Sequence, residues 1–255
     1  MFIDVHCHLD KLIEEGVTAE KAIKNAKAKN VNAMIVNGTD HKQNLAILEL
    51  AEKYKEVKPA LGIYPIDALK LSEAEIDSEI DFIIKNKSKI AAIGEVGLDL
   101  KEEELHKTLD KQKIILTKFV NLAIKLKKPV IIHSRKAELH TIELLEKLNA
   151  KSVIMHCFSG KMSLVDRIVK NGWLLSIPAN VHYSQQFQDV IKRVPIINLL
   201  CETDTPYLHP LKKWPNEPAN VIYSYKKIAE IKNIKLEQAE KDIENNFNNL
   251  CQSVS

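Results

Sequence analysis

Residues 2–8 read FIDVHCH, and the reading of this run decides the fold. It is short, apolar and β-branched, and it ends in two histidines separated by one residue. Side chains alternate across a strand, so His6 and His8 share one face and Cys7 points to the other. Taken alone, such a pair is either two metal ligands or an ordinary polar strand end.

Runs of the same kind recur at 31–37, 59–64, 90–96, 129–133, 153–158, 173–177 and 197–203. Segments with helical periodicity alternate with them, at 18–29, 44–55, 72–85, 105–127, 137–148, 162–170 and 184–192. From 221 to about 250 the tail reads as two further helices. Eight strand–helix units in 255 residues match an α/β fold of one closed (β/α)8 TIM barrel with an extra C-terminal helix. A doubly wound open sheet is the alternative. No linker or composition shift divides residues 1–255, so a single domain is expected. The segment 205–220, TPYLHPLKKWPNEPAN, holds four of the nine prolines and reads as a stiff loop after the last strand.

Hydrophobic residues make up 45% and charged residues 28% of the chain, an ordinary soluble balance. No apolar run approaches the roughly 18 residues of a membrane span. No basic flank precedes an apolar segment at the N-terminus, and the four cysteines form no CxxC pair. A reduced cytoplasmic protein is therefore expected, with no membrane association and no evident obligate protein partner. A net charge of +3 neither implies nor excludes nucleic acid. Only Arg135, Arg167 and Arg193 are arginines, so an arginine beside a candidate site stands out.

In a barrel, chemistry sits at the C-terminal strand ends. The first strand brings His6 and His8 there, the fourth Glu95 and Asp99, and the fifth His133 and Arg135. The sixth brings His156 and the eighth Glu202 and Asp204. Four histidines and these carboxylates could not share a narrow interior unpaired without a large desolvation cost. Divalent cations such as Zn2+, Mn2+ or Mg2+ would remove that cost. Six ligands exceed what one zinc takes, so two ions bridged by Glu95 are expected. Asp204 would orient or deprotonate a water, and the pair Asp204 and Glu95 would carry hydrolysis. Neither GxGxxG nor GxxxxGK[ST] occurs.

In order and spacing, FIDVHCHLD, AAIGEVGLDL, KKPVIIHSRKA, VIMHCFSG, LLCETDTPYL, NEPAN and NNFNNL resemble the signatures of TatD-type metal-dependent deoxyribonucleases. The likeness runs from residue 2 to about 250. It implies a TIM barrel with a divalent metal centre held by His6, His8, Glu95, His133, His156 and Asp204. It also implies DNA as substrate, often attacked from a 3′ end. The chain departs from the family where Tyr64 and Ile66 replace two usual histidines. It departs again where Lys213-Trp214-Pro215 replaces a basic Gly-Lys-Arg. Candidate substrate contacts are Arg135 as a phosphate clamp, Ser159 at a helix start, Tyr64, and Trp214 as a base-stacking ring. Lys212 and Lys213 would contact the backbone of the nucleic acid. Glu202 is expected to hold a ligand histidine from behind. A C–N or ester hydrolase of the amidohydrolase type, using the same centre, is the competing function. A glycoside hydrolase built on Glu95 and Glu202 would leave the histidines idle.

Overall fold

The computed structural model describes residues 1–252; the last three residues of the expected 1–255 domain lie outside it. Eight strands form one sheet in chain order: β1 (Phe2–Cys7), β2 (Val31–Asn37), β3 (Val57–Leu61), β4 (Ala92–Asp99), β5 (Val130–Arg135), β6 (Val153–Met155), β7 (Leu174–Pro178) and β8 (Leu199–Glu202). Every neighbouring pair is parallel. Helices cover the outside, so strands are buried on both faces: all six residues of β1 and all eight of β4 are buried. This is why they read as near-continuous apolar runs instead of alternating ones.

The barrel closes where β1 meets the segment after β8. Asp204 N–H donates to the His6 carbonyl (2.9 Å), and His8 N–H donates to the Thr205 carbonyl (2.8 Å). Asp4 adds a side-chain stitch, accepting from Thr203 N–H at 2.9 Å and from the Thr203 hydroxyl at 2.5 Å. Lower down, the Tyr225 hydroxyl accepts from Ile3 N–H (3.0 Å) and donates to the Ile3 carbonyl (3.1 Å). One buried side chain thus satisfies two backbone groups at the seam.

The helices are α1 (Leu9–Glu14), α2 (Ala19–Ala28), α3 (His41–Lys53), α4 (Pro65–Ala68), α5 (Glu73–Lys85), α6 (Leu109–Leu126), α7 (Glu138–Lys147), α8 (Met162–Lys170), α9 (Gln185–Arg193), α10 (Ile222–Lys232) and α11 (Leu236–Gln252). Their starts follow local chemistry. Thr18 caps α2 by accepting from Lys21 N–H, and Ser72 with Glu75 forms a capping box on α5. α11 is the extra C-terminal helix, beyond the eighth barrel helix α10. No helix among the described residues is long and apolar enough to cross a membrane.

The barrel matches expectation; several boundaries do not. β4 and β5 run further than the apolar runs suggested, to Asp99 and Arg135, because the two strands keep pairing with each other up to those residues. Tyr64 lies beyond β3, as the residue that opens α4, whose first position is Pro65. Ser159 does not start a helix, since α8 begins at Met162 with Lys161 as its cap. The Ser159 carbonyl accepts instead from the Gln186 side chain.

Candidate metal centre

Two register shifts aim the interior donors. In β1 the pairing with β2 slips between Asp4 and Cys7, and in β4 the pairing with β5 slips between Ile93 and Val96. Each interval holds a candidate ligand, His6 and Glu95, consistent with bulges re-aiming side chains beside a site. β4 also packs tightly on β5: a Cβ at Gly97 would lie 1.9 Å from the His133 carbonyl oxygen. Glycine there lets the two ligand-bearing strands meet.

His6, His8 and Glu95 form a close set of three donors, and Asp204 stands beside the same two histidines. The two imidazole Nε2 atoms are 3.2 Å apart. Glu95 Oε2 lies 3.5 Å from His6 Nε2 and 3.4 Å from His8 Nε2. Asp204 Oδ1 lies 3.6 and 3.7 Å from the same two atoms. Donors about 2.1 Å from one ion in tetrahedral geometry are separated by about 3.4 Å. The residues therefore fit a cation. His8 Nδ1–H donates to the Asn37 carbonyl (2.9 Å), which leaves the Nε2 lone pair facing the set.

The other oxygen of Glu95 belongs to a second, looser set. Oε1 lies 2.9 Å from His133 Nδ1 and 4.0 Å from His156 Nε2. Each histidine is held from behind. His133 Nε2–H donates to Asp99 (3.0 Å), and Asp99 also accepts from the Tyr64 hydroxyl (2.6 Å). His156 Nδ1–H donates to Glu202 (2.8 Å), which also accepts from the Ser176 hydroxyl (2.5 Å). Glu202 thus holds His156 through Nδ1. Asp99, seen at a strand end but given no role, proves to be its counterpart. In a third close set, His6, His156 and Glu202, the bonds from His156 and Ser176 both fall on Glu202 Oε2, and Glu202 Oε1 and His6 Nδ1 are buried without a hydrogen-bond partner among the described residues.

Burial and neighbours split the titrations. Burial alone would raise Glu95, but hydrogen bonds from His133, His6 and His8 outweigh it and hold its carboxyl well below the usual range. Burial, with His156 stacked 3.6 Å away between ring centroids, keeps His6 well below the ordinary histidine value. Burial would also lower His156; Glu202 and then Asp204 and Glu95 overcome it and raise it to about 10. Asp204 is raised by burial to about 6, against the pull of His156 and His8.

A cleft of about 690 Å3 opens over both sets, lined by Tyr64, Arg135, Ser159, Asn180 and Tyr207 among others. Arg167 and Arg193 are taken by Glu146 and Asp166. Among the described residues, Arg135 is the one arginine with no carboxylate partner, and it faces this cleft. Trp214 stands outside the lining, tilted against Tyr207 with ring centroids 5.7 Å apart. Sequence reading passed over Tyr207, whose place three residues after Asp204 was the available signal. It also passed over Asn216, which is fully buried and donates to the carbonyls of Thr203 (2.9 Å) and Tyr207 (2.7 Å).

A model of the TatD related DNase family matches residues 3–252. The human deoxyribonuclease TATDN3 is 32% identical over 245 residues, covering 92% of this chain and 89% of that protein. An uncharacterized metal-dependent hydrolase of Methanocaldococcus jannaschii is 32% identical over 251 residues, 98% of this chain and 95% of that protein. Among solved structures, YjjV, a TatD homologue from Escherichia coli K12, superposes with a TM-score of 0.88 at 27% identity, covering 98% of this chain and 97% of that one. By these likenesses and by its barrel, the chain belongs to the TatD related DNase family and is a hydrolase.

Proposed function

We propose that the protein is a divalent-metal-dependent deoxyribonuclease that hydrolyses phosphodiester bonds at a 3′ end, using two ions that share Glu95. The observation that carries this reading is the division of one carboxylate: Oε2 faces His6 and His8, and Oε1 faces His133. His6, His8, Glu95 and Asp204 would hold one ion, and Glu95, His133 and His156 the other. Four imidazoles favour Zn2+ or Mn2+ over Mg2+. Bound divalent ions supply Lewis acidity at a phosphoryl group and a water reactive at neutral pH.

The chain's own groups do the rest. Asp204 has the most exposed side chain of the six, at 17%, so it meets an incoming water first. With Oδ1 turned to His6 and His8, Oδ2 would orient that water and take its proton. Asp99 and Glu202 fix the tautomers of His133 and His156, so that the opposite nitrogens would be free to hold metal. The planar fork of Arg135 receives a phosphate, and the Ser159 hydroxyl contacts the same group. Tyr64 forms a wall of the cleft, its proton committed to Asp99. A buried floor of ligands beneath the cleft suits the end of a strand. DNA is thus the partner, and the free Cys7, Cys157 and Cys201 fit a reduced cytoplasm.

Metal analysis joined to a time course on end-labelled single- and double-stranded DNA tests the proposal. Label should leave the 3′ end only with divalent metal, and Asp204→Asn should abolish the reaction in a folded protein. Hydrolysis of small esters or amides with DNA left intact would make the centre an amidohydrolase instead. Full activity in excess chelator would remove the metal from the mechanism.

A further inference from the structure

Of the six Phe, six Tyr and two Trp, only Tyr183, Tyr207 and Trp214 are more than a third exposed among the described residues, at 44%, 42% and 56%. Each is tied to the cleft, directly or through a neighbour. Tyr207 lines it, with Trp214 against its ring. Tyr183 follows the short turn Ala179–His182, whose Asn180 also lines the cleft. Lysines approach two of the rings. Lys212 Nζ is 4.7 Å from the Tyr183 centroid, and Lys11 Nζ is 5.9 Å from that of Tyr207.

The rings are held before any ligand arrives. Asn216 pins the loop by its side chain, and its N–H donates to the Pro206 carbonyl (2.8 Å). Tyr207 N–H donates to the Asp204 carbonyl (2.8 Å), which ties this ring to the metal centre. Trp214 Nε1–H donates to Glu15 (2.8 Å), fixing the plane of the indole. Pre-set rings lose little freedom on binding.

We infer that Tyr183, Tyr207 and Trp214, with Lys11, Lys212 and Lys213, form a base-stacking rim that holds the unpaired nucleotides of a DNA strand entering the cleft. Exposed π-faces interleaved with ammonium groups suit successive bases and the phosphates between them. An apolar partner surface would ask for a continuous patch, and here cations interrupt it. Tyr183 and Tyr207 each carry a lysine ammonium near the ring, and the indole of Trp214, at 56% the most exposed of the three, presents its surface to solvent. The choice of DNA rests on the nuclease reading above; the stacking geometry does not.

Trp173 is 1% exposed, so a ligand-induced change in tryptophan emission reports Trp214. The intact protein in excess chelator is titrated with oligothymidylate of about eight nucleotides, within the usual site size for a single strand. Emission should be quenched to saturation. Anisotropy of the labelled strand should show binding weakened about tenfold by Trp214→Ala or Tyr207→Ala, with Trp214→Phe restoring most of it. A blunt duplex of equal length should bind about tenfold more weakly. Equal affinity of wild type and Trp214→Ala, absence of quenching at saturation, or equally tight binding of the duplex would each overturn the rim. The two readings fail separately. A strand that binds with quenching but stays intact when metal is restored sinks the nuclease and keeps the rim. Metal-dependent cleavage with a silent Trp214 does the reverse.

Discussion

The two donor sets that meet at Glu95 are built differently. His6 and His8 come from β1 and the residue after it, Glu95 from β4 and Asp204 from the closure of the barrel; the two imidazoles are 3.2 Å apart, lie 3.4 to 3.7 Å from the two carboxylates, and are nearly or fully buried. His133 and His156 stand 2.9 and 4.0 Å from Glu95 and depend on Asp99, Tyr64, Glu202 and Ser176 for their orientation. The first set is held by backbone seams, the second by side chains borrowed from neighbouring elements. On the proposed two-ion reading, the first set would retain its ion and the second would leave room for substrate.

Removing what the sets share should have the largest effect. Glu95→Ala is expected to lower turnover by at least about a thousandfold and to deplete both ions, as read by kinetics on end-labelled DNA and metal analysis. Asp204→Asn should cost about as much in turnover yet spare the fold. The sign for stability is the opposite of the sign for activity. Its folded pKa of about 6 lies above the ordinary 3.8, so in metal-free protein the native state binds more protons in that window. Stability from this group therefore declines as pH rises from about 4 through 6. Metal-free Asp204→Asn should melt higher than wild type at pH 7, by as much as about 3 kcal/mol. In the wild type, protons compete with metal at the same carboxylate, so calorimetry should find metal affinity falling below about pH 6.

A smaller change tests the looser set alone. Tyr64→Phe leaves Asp99 without its hydroxyl partner, so the weaker equivalent of metal should lose about tenfold in affinity and the tighter one almost none. Equal losses at both would erase the distinction drawn above. Smallest of all, Arg135→Ala should raise KM for DNA several-fold with kcat nearly unchanged, as loss of a uniform phosphate contact.

Much of this was legible before any coordinates. The repeat of apolar runs and helical segments specified the barrel, because strands covered on both faces carry a strong periodic signal. His6, His8, Glu95, His133, His156 and Asp204 were readable as one group, because strand ends in a closed barrel must converge. What escaped depended on partners distant in sequence. Tyr64 and Asp99 are 35 residues apart and meet only because β4 runs on past Glu95 while the chain after β3 turns into α4. Ser159 looked like a helix start because glycine and serine fit such a place, yet the loop continues to Lys161. Trp214 was singled out from the sequence, but it is its neighbour Tyr207 that lines the cleft, in a loop pinned by buried Asn216.

The most direct test is a metal titration of chelator-stripped protein with Zn2+ or Mn2+, followed by calorimetry and by 3′-end cleavage in parallel. The account predicts two classes of site, with the tighter filling first and activity appearing only as the weaker one fills. Glu95→Ala should abolish both. A single class of one ion per chain, or full cleavage before the second equivalent is bound, would contradict it.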